Sequence, residues 1–414
     1  MDKSVAGPST TTDTSTSPIA KRQKLTNHHT HYQPQPLLPG LPDHIAQVCL
    51  SLVHPSSLYS VCRSWRHLMY SPSFPPYLSL YAVCSSSSSS ATSSQTAQNH
   101  SNAVDFFTFD PISSNWHALP APPPHSTLRI LLHHPSFLSR KLPIQSVSVS
   151  GNLVLLAATT YNLLPALSRP LMFNPLSRTW VFGPPLASPR RWCAAGVICG
   201  AVYVASGMGS QFSDHTARAV EKWDLHLHEE NGGDRRNMGW RLWERKSGLR
   251  DTRFSREPID AVGWKGKLCM VNVRGGAAKE GAVYNVEKDT WEEMPEGMLA
   301  GWRGPVASMD EDVMYALDEV KGALRKYDAE RDSWEEIMES ERFRGAQQMT
   351  AAGGRLCVIC GGGIEVRVVD VVESPPRLWV VDLPVGIEAV AVHILPRMNP
   401  LDFGFPVAAS TSIE

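Results

Sequence analysis

The chain of 414 residues has a formal net charge of -1 and a pI near 6.9, which gives no electrostatic basis for binding nucleic acid or an acidic membrane surface. Hydrophobic residues make up 42%, while 32 prolines and 29 glycines favour many short elements joined by turns. No segment approaches the roughly 20 apolar residues of a membrane helix, and the N-terminus has no signal-peptide core. We therefore expect a soluble, intracellular, mainly β protein whose eight cysteines are free thiols.

Residues 1–36 are rich in Ser, Thr, Pro and His and have too few large apolar side chains to form a core. We expect this tail to be disordered. Its basic run Lys21–Lys24 can be interpreted as a nuclear-import signal or as a solvated cluster of charges. The expected location is the nucleus, the cytoplasm or both.

Residues 37–76 have a different pattern, typical of two amphipathic helices that are separated at Pro55. A region of about 40 residues in short helices has too small a core to be stable alone. Its apolar side chains are therefore expected to pack against a partner or a neighbouring domain. The residues at helical spacing are Ile45, Val48, Cys49 and Leu52 in the first helix, and Leu58, Val61, Cys62, Trp65 and Leu68 in the second.

From residue 77 onward a short phrase recurs, in which a Trp follows an aromatic residue by seven positions and an Asx stands directly after the aromatic. Six repeat units end at tryptophans that lie 43 to 64 residues apart, a spacing typical of a repeat architecture. The Asx predicts a turn between two strands, and the Trp on the returning strand is expected to fill the wedge between neighbouring sheets. Four regular copies begin at Phe109, Phe173, Tyr284 and Tyr327, and two irregular ones end at Trp243 and Trp379.

Two further strand-like runs precede each hairpin, so each unit is predicted to be a four-stranded antiparallel sheet. Radial repetition would bury each sheet face on the next one, which predicts a β-propeller over residues 77–396. The last run, Gly386–Leu395, has no hairpin after it, and the first hairpin has only Tyr77–Cys84 before it. If the C-terminal strand completes the first blade, the ring has six blades; five or seven blades stay open. We expect a Ser-rich loop at 85–102, an insertion loop at 225–239 and a C-terminal tail at 397–414.

The repeat unit resembles the kelch repeat, because Gly275-Gly276 and Gly361-Gly362 match its paired glycines ahead of the aromatic-Asx turn and the Trp. The helical stretch resembles an F-box, with Leu41-Pro42-Asp43 at its start and Val61–Leu68 near its end. This order of domains resembles that of plant F-box/kelch-repeat proteins. The resemblance implies a mainly β fold, a kelch-type propeller preceded by a small α-helical F-box.

By this resemblance the F-box would dock on a Skp-type adaptor and join a cullin-based SCF ubiquitin ligase, while the propeller would hold the protein to be ubiquitinated. The chain would then be a non-catalytic substrate receptor without a cofactor or a metal. Some of the F-box residues are instead expected to pack the two helices together or onto the propeller. The candidates for the adaptor surface are Leu41, Pro42, Ile45, Cys49, Leu50, Leu58, Val61, Cys62 and Trp65.

Arginines recur just before the innermost strand of several units, in connections expected near one mouth of the central channel. A ring of guanidinium groups there would suit an acidic or phosphorylated protein segment, since Arg pairs bidentately with carboxylate and phosphate. The alternative is that these are unrelated surface arginines or arginines that bond turn carbonyls. The candidates for substrate binding are Arg191, Arg256, Arg303 and Arg344.

Other chemistry is weakly supported by the sequence. Cys357 and Cys360 lie in a run that reads as a buried strand, and the histidine-rich pieces His28–Tyr32 and His226–Glu230 read as solvated loops. No nucleophile has an evident base. Two other functions stay open: a propeller-based enzyme with a carboxylate cluster or a Tyr-Cys site at the channel mouth, and a scaffold whose F-box no longer binds an adaptor.

Overall fold

The computed structural model describes residues 36–51, 53, 58, 61–62, 64–65, 68, 78–86, 101–111, 113–123, 129–131, 144–160, 162–225, 242–255, 258–272 and 279–398. Within these ranges no helix is long and apolar enough to cross a membrane. The expected N-terminal and C-terminal tails, apart from residues 36, 397 and 398, lie outside them, as does most of the insertion loop.

Helices are few and short. Helix α1 spans Asp43–Ser51, and its first turn carries Asp43, whose charge suits the positive end of the helix dipole. Leu58, Val61, Ser64, Trp65 and Leu68 are also helical. In the β body, α2 spans Asp214–Arg218 and α3 spans Glu296–Gly301.

The β body consists of six antiparallel sheets, which we number as blades in chain order. Blade 1 contains β1 (Leu78–Ser86), β2 (Ser101–Asp110), β3 (Asn115–Ala118) and β25 (Ile387–Pro396), with β4 (Arg129–Leu131) beside β2. Blade 2 contains β5 (Ile144–Val149), β6 (Asn152–Ala158), β7 (Leu171–Asn174) and β8 (Thr179–Phe182). Blade 3 contains β9 (Ala194–Ile198), β10 (Ala201–Ala205), β11 (Val220–Asp224) and β12 (Glu244–Lys246).

The remaining blades repeat the same meander. Blade 4 contains β13 (Ile259–Trp264), β14 (Lys267–Asn272), β15 (Gly281–Asn285) and β16 (Thr290–Glu293). Blade 5 contains β17 (Val306–Met309), β18 (Val313–Asp318), β19 (Ala323–Asp328) and β20 (Ser333–Glu339). Blade 6 contains β21 (Ala346–Ala352), β22 (Arg355–Cys360), β23 (Glu365–Asp370) and β24 (Arg377–Asp382).

The ring closes through strands from the two ends of the β body. Strand β25 pairs antiparallel with β1, from Leu78 opposite Pro396 to Ser86 opposite Ile387. The order β25-β1-β2-β3 confirms that the C-terminal strand completes the first blade, and with it the six-bladed propeller. Two details differ from the expectation: β1 and β2 extend into the Ser-rich run and leave 87–100 between them, and β4 adds a short pairing to β2.

The hydrophobic core of the propeller is divided into six clusters of buried side chains, one at each junction between neighbouring blades. Between blades 3 and 4, for example, Tyr203 packs against Tyr284 with ring centroids 6.2 Å apart. Because each sheet buries its faces on its neighbours, no blade has a complete core of its own.

The repeated phrase forms the hairpin between the third and fourth strands, as predicted. The Asn174 side chain accepts hydrogen bonds from the backbone N–H groups of Leu176 and Ser177 at 2.8 and 3.1 Å, which closes the turn. The residue two positions before the Trp has a positive φ in all four regular copies. These residues are Ser114 (φ 56), Arg178 (φ 56), Asp289 (φ 50) and Asp332 (φ 46).

The indole rings join neighbouring blades, which confirms their predicted place between sheets. In five of the six repeats the indole N–H donates a hydrogen bond to a backbone carbonyl that follows the outer strand of the preceding blade. The pairs are Trp116 with Asp382 (2.7 Å), Trp180 with Pro120 (2.7 Å), Trp243 with Pro184 (2.9 Å), Trp291 with Ser247 (3.0 Å) and Trp334 with Gly297 (3.0 Å). Each bond satisfies a donor that burial would otherwise make costly.

Candidate functional site

The N-terminal helical unit has a small core of its own. Leu50, Leu58 and Leu68 are buried together, with Trp65 packed against them. The Trp65 indole donates to the carbonyl of Leu37 at 2.9 Å, and so ties the residues before α1 to the second helical segment. Of the candidates for the adaptor surface, Leu50 and Leu58 therefore hold the two helical segments together.

A second set of apolar side chains on this unit faces outward. Leu41, Ile45, Val48 and Val61 are 40%, 42%, 62% and 56% exposed, and Cys49 is exposed as well. Ile45, Val48 and Cys49 lie three and four residues apart and so share one face of α1. The unit thus presents a set of exposed apolar side chains, which we call the apolar stripe (Leu41, Ile45, Val48, Cys49 and Val61).

The two ends of the propeller differ in which connections they carry, because consecutive strands of each blade are antiparallel. We call the end with residues 206–219, 319–322 and 361–364 the upper face; it also carries the connections from one blade to the next. A backbone hydrogen bond of 2.8 Å from Gly345 to Glu319 joins these two kinds of connection. The lower face carries the tight turns, such as 310–312, and the third-to-fourth strand hairpins, such as 371–376.

Three of the four candidate arginines, Arg191, Arg303 and Arg344, lie in the connections of the upper face, but their environments differ. The Arg191 side chain is buried: its guanidinium donates to the Gly209 carbonyl at 3.4 Å and lies 4.6 Å from the centre of the Trp192 ring. Burial lowers the pKa of Arg191. Arg191 therefore bonds a turn carbonyl, as in the alternative interpretation, and is not presented to a partner.

Arg303 and Arg344 are 60% and 56% exposed at their side chains. Arg344 lies 3.2 Å from the carboxylate of Glu341, and Arg303 lies 3.8 Å from that of Asp318. The Arg344–Glu341 pair is exposed on both sides and contributes little to stability, so the Arg344 guanidinium remains open to exchange with another carboxylate. The carboxylate beside Arg303 is different, because Asp318 is buried. Arg256 lies outside the described residues.

The central channel holds a cavity of about 390 Å³ lined by the innermost strands β5, β9, β13, β17, β21 and β25. Polar side chains in its wall bond from one blade to the next. The His393 ring, on β25, hydrogen-bonds the hydroxyl groups of Ser146 and Ser148 on β5 at 2.9 and 3.0 Å. The Gln348 side chain, on β21, bonds both backbone groups of Val392. Burial lowers the pKa of His393 to about 4, so the ring is neutral.

Comparison with known proteins adds an independent line of evidence. No family model matches the sequence. The chain is 50% identical over 401 residues to the F-box/kelch-repeat protein SKIP25 of Arabidopsis thaliana, an alignment that covers 95% of this chain and 98% of that protein. The chain belongs to the F-box/kelch-repeat family. It is also 26% identical over 346 residues to the F-box protein AFR of the same plant, over 80% of this chain and 83% of that protein.

Family membership and the propeller together support a role as a substrate adaptor, since F-box/kelch proteins are generally receptors for substrates and not catalytic subunits. In that light the helical unit is the F-box of this chain and the six blades are its kelch repeats.

Two features of this F-box/kelch protein were missed at the sequence level. Val48 was assigned to the apolar pattern of the first helix but not to the adaptor surface, although it is the most exposed member of the stripe. Arg190 is fully buried and forms an ion pair with Glu221, whose carboxylate also accepts from the Ala187 backbone N–H at 3.1 Å. The adjacent Arg190 and Arg191 cannot be told apart by sequence pattern.

The cysteine pair is structural. Cys357 and Cys360 are buried within β22, which confirms their interpretation as thiols of a buried strand. Burial raises the pKa of Cys357 to about 12, so its thiol stays protonated. Among the residues that the structure describes, no three His, Cys, Asp or Glu side chains form a group that could hold a metal ion. The two histidine-rich pieces lie outside those residues.

Proposed function

We propose that the chain is the substrate-recognition subunit of an SCF ubiquitin ligase. Its F-box binds a Skp-type adaptor, and through the adaptor a cullin, while the upper face of the propeller binds the target protein. The single observation that carries the adaptor half is the apolar stripe of the F-box. Side chains such as Ile45, Val48 and Val61 are 42% to 62% exposed, whereas the buried cluster among the described F-box residues consists of Leu50, Leu58 and Leu68.

The apolar side chains of the stripe stay exposed because the small buried cluster of the F-box does not cover them. Covering an exposed Val or Ile stabilises a complex by up to about 1.5–3 kcal/mol, so four or five such residues provide the main driving force for an adaptor. The short core of Leu50, Leu58 and Leu68 would gain from the same contact, because the adaptor would shield it from water.

Binding of the adaptor can be tested with matched substitutions. We expect Ile45→Asp to abolish co-purification of a Skp-type adaptor with the full chain, because a carboxylate replaces an apolar contact at the centre of the stripe. Leu176→Asp is the control, since Leu176 is 41% exposed, close to the 42% of Ile45, but lies on the propeller. Unchanged thermal melting of the propeller would show that neither variant is misfolded.

If Ile45→Asp retains the adaptor as well as Leu176→Asp does, the apolar stripe is not the adaptor surface; if the unaltered chain binds no Skp-type adaptor, the ligase role is wrong. The second result would favour the scaffold reading, in which the F-box no longer engages an adaptor.

The target half of the proposal is supported by Arg303 and Arg344, whose guanidinium groups are more than half exposed on the upper face. Arginines of this kind suit an acidic or phosphorylated segment of the target. Because Arg191 is buried, the upper face has no continuous ring of guanidinium groups that could bind the target. Its affinity for the target therefore needs another source.

A further inference from the structure

Three large β-branched side chains protrude from the upper face. Val320, Ile364 and Val385 are 78%, 64% and 104% exposed. Val320 lies in the connection between the second and third strands of blade 5, and Ile364 in that of blade 6. Val385 lies in the connection from blade 6 to β25 of blade 1. A fold gains nothing from exposing such residues at consecutive loop tips, which points to a surface that is covered in a complex.

The backbone shows that the three loops form one surface. The carbonyl of Glu319, beside Val320, accepts from the N–H of Gly345 at 2.8 Å. Gly345 in turn lies next to Gly361: a Cβ added to it would be 3.8 Å from the Gly361 nitrogen. The carbonyl of Ile364 accepts from Leu383, two residues before Val385, at 3.0 Å. Blades 5, 6 and 1 thus contribute adjacent apolar tips, which we call the apolar triad (Val320, Ile364 and Val385).

Positive charge surrounds the apolar triad. Arg303, Lys321, Arg342 and Arg344 are exposed in the same connections. The acidic groups in these connections are Glu296, Glu319 and Glu341, so the cations outnumber them by four to three. Arg344 and Glu341 form an exposed pair that a competing carboxylate can replace at little cost. Charge complementarity therefore calls for an acidic partner around an apolar centre.

We propose that the apolar triad and its flanking cations bind a short segment of the target protein in which large apolar side chains stand next to acidic ones. This inference rests on the proposed role as a substrate receptor and names the chemistry that the receptor selects. The apolar side chains cover Val320, Ile364 and Val385, and the acidic ones pair with Arg303 and Arg344. A phosphorylated group alone does not account for the surface, because it leaves the triad in water.

A lipid surface is the other class of partner that apolar tips with cations can serve. Membrane-binding surfaces combine Trp, Phe or Leu with a strong excess of Lys and Arg. Here the tips are Val and Ile, Glu341 is 86% exposed among the cations, and the formal net charge of the whole chain is -1. These observations favour a protein segment over a membrane.

The chain provides a closely matched control. Val372 is 77% exposed, against 78% for Val320, but it lies in a hairpin of the lower face on the same blade as Ile364. Val320→Asp and Val372→Asp therefore introduce the same change at equal exposure on opposite faces. Both substitutions lie at exposed loop positions, so both variants are expected to melt like the unaltered chain.

The experiment uses a random-peptide display library panned on the purified full chain, with counter-selection on Val320→Asp. We expect the retained peptides to combine large apolar residues with Asp or Glu. Fluorescence anisotropy of one retained peptide is expected to show at least tenfold weaker binding to Val320→Asp and to Ile364→Asp, and unchanged binding to Val372→Asp. Arg344→Ala is expected to weaken binding less, and the effect of this variant is expected to shrink as salt is added.

Three results would overturn the inference. The first is a library that yields no peptide able to distinguish Val320→Asp from the unaltered chain. The second is a library that yields only acidic or phosphorylated peptides whose binding depends on Arg344 alone. The third is binding to vesicles of anionic phospholipid that Val320→Asp abolishes. None of these results bears on the ligase role, which fails only if the adaptor does not co-purify. If the chain binds no adaptor but still selects such peptides, the peptide-binding surface is supported and the ligase role is wrong.

Discussion

At the scale of single residues, the repeats show how one position can serve two blades. Asp332 accepts a hydrogen bond from the Tyr327 hydroxyl at 2.6 Å within its own hairpin. The same carboxylate accepts from the backbone N–H groups of Gly297 and Met298, ahead of blade 5, at 2.8 and 2.9 Å. Burial alone would raise the pKa of Asp332, but these three hydrogen bonds outweigh burial and lower the pKa. The short sequence motif recurs because each copy forms a hairpin turn and also makes hydrogen bonds to a segment from the neighbouring blade.

His393 gives a prediction at this scale. Its pKa of about 4 in the folded chain lies below the 6.5 of an unfolded histidine, so the unfolded state binds more protons between these values. The stabilisation is fully present above about pH 6.5 and is lost as the pH falls toward 4, with about 2 kcal/mol gone at about pH 5. His393→Gln has no titrating ring, so its free energy of unfolding should fall less over that range. Urea unfolding at both ends of the range measures the difference.

The comparison between the two chains isolates His393, because Asp260, Asp310 and Glu311, which line the same cavity, are present in both of them. Parallel losses of stability in the unaltered chain and in His393→Gln would contradict the assigned pKa.

At the scale of elements, the packing of one blade on the next sets which residues the innermost strands tolerate. Strands β9 and β13 approach so closely that a Cβ at Gly263 would lie 1.7 Å from the Val197 carbonyl oxygen. Nothing but glycine fits there without moving a strand. Ile198 and Leu268 are buried beside this contact, so the backbone has little room to adjust.

We therefore expect Gly263→Ala to lower the free energy of unfolding by about 3 kcal/mol, because the clash is with backbone and not with a flexible side chain. Gly361→Ala is the control: its Cβ would have no neighbour within 4 Å, and we expect a change of about 0.5 kcal/mol or less. Guanidinium unfolding of the two variants gives the comparison. Equal values for both would mean that β9 and β13 separate easily.

At the scale of the whole molecule, the ring depends on one strand from its far end. Strand β25 contributes Ala389, Val392 and Ile394 to the junction with blade 6, and Ala391 and Leu395 to that with blade 2. Beyond it, the Tyr81 hydroxyl donates to the Pro396 carbonyl at 2.7 Å, and Arg397 lies 3.7 Å from Asp110. Closure removes the open edge that a set of five complete blades would leave on β1.

A chain that ends at Gly386 should therefore lose cooperative unfolding and aggregate, whereas one that ends at Met398 should melt like the full chain. The first lacks β25 and exposes the pairing edge of β1; the second keeps all the contacts of β25. Calorimetry and size-exclusion chromatography of both products check this. A synthetic peptide of residues 384–398 should restore a monomer, since it supplies the missing strand. A well-folded monomer that ends at Gly386 would show that β25 is dispensable.

The propeller could be predicted from the sequence because its signal is periodic. The tryptophans, the Asx turns and the missing first strand each follow from local pattern, and the structure confirms them. The upper-face site could not be predicted in the same way. Whether Arg191 lies inside and Arg303 outside depends on how a connection folds over its blade, and Val320, Ile364 and Val385 stand out only once exposure is known. The F-box lies between these cases: helical spacing found its apolar residues but did not separate its core from its stripe.

The pairing of Leu78 with Pro396 has a consequence for how the receptor is made. Blade 1 contains both β1, which is the first strand of the propeller to be synthesised, and β25, which is the last. Domains generally begin to fold before synthesis ends. The intervening blades can assemble on the nascent chain, while β1 waits for its partner until translation has passed Pro396. A message cut short by a premature stop codon before that point would yield an F-box attached to an unclosed ring.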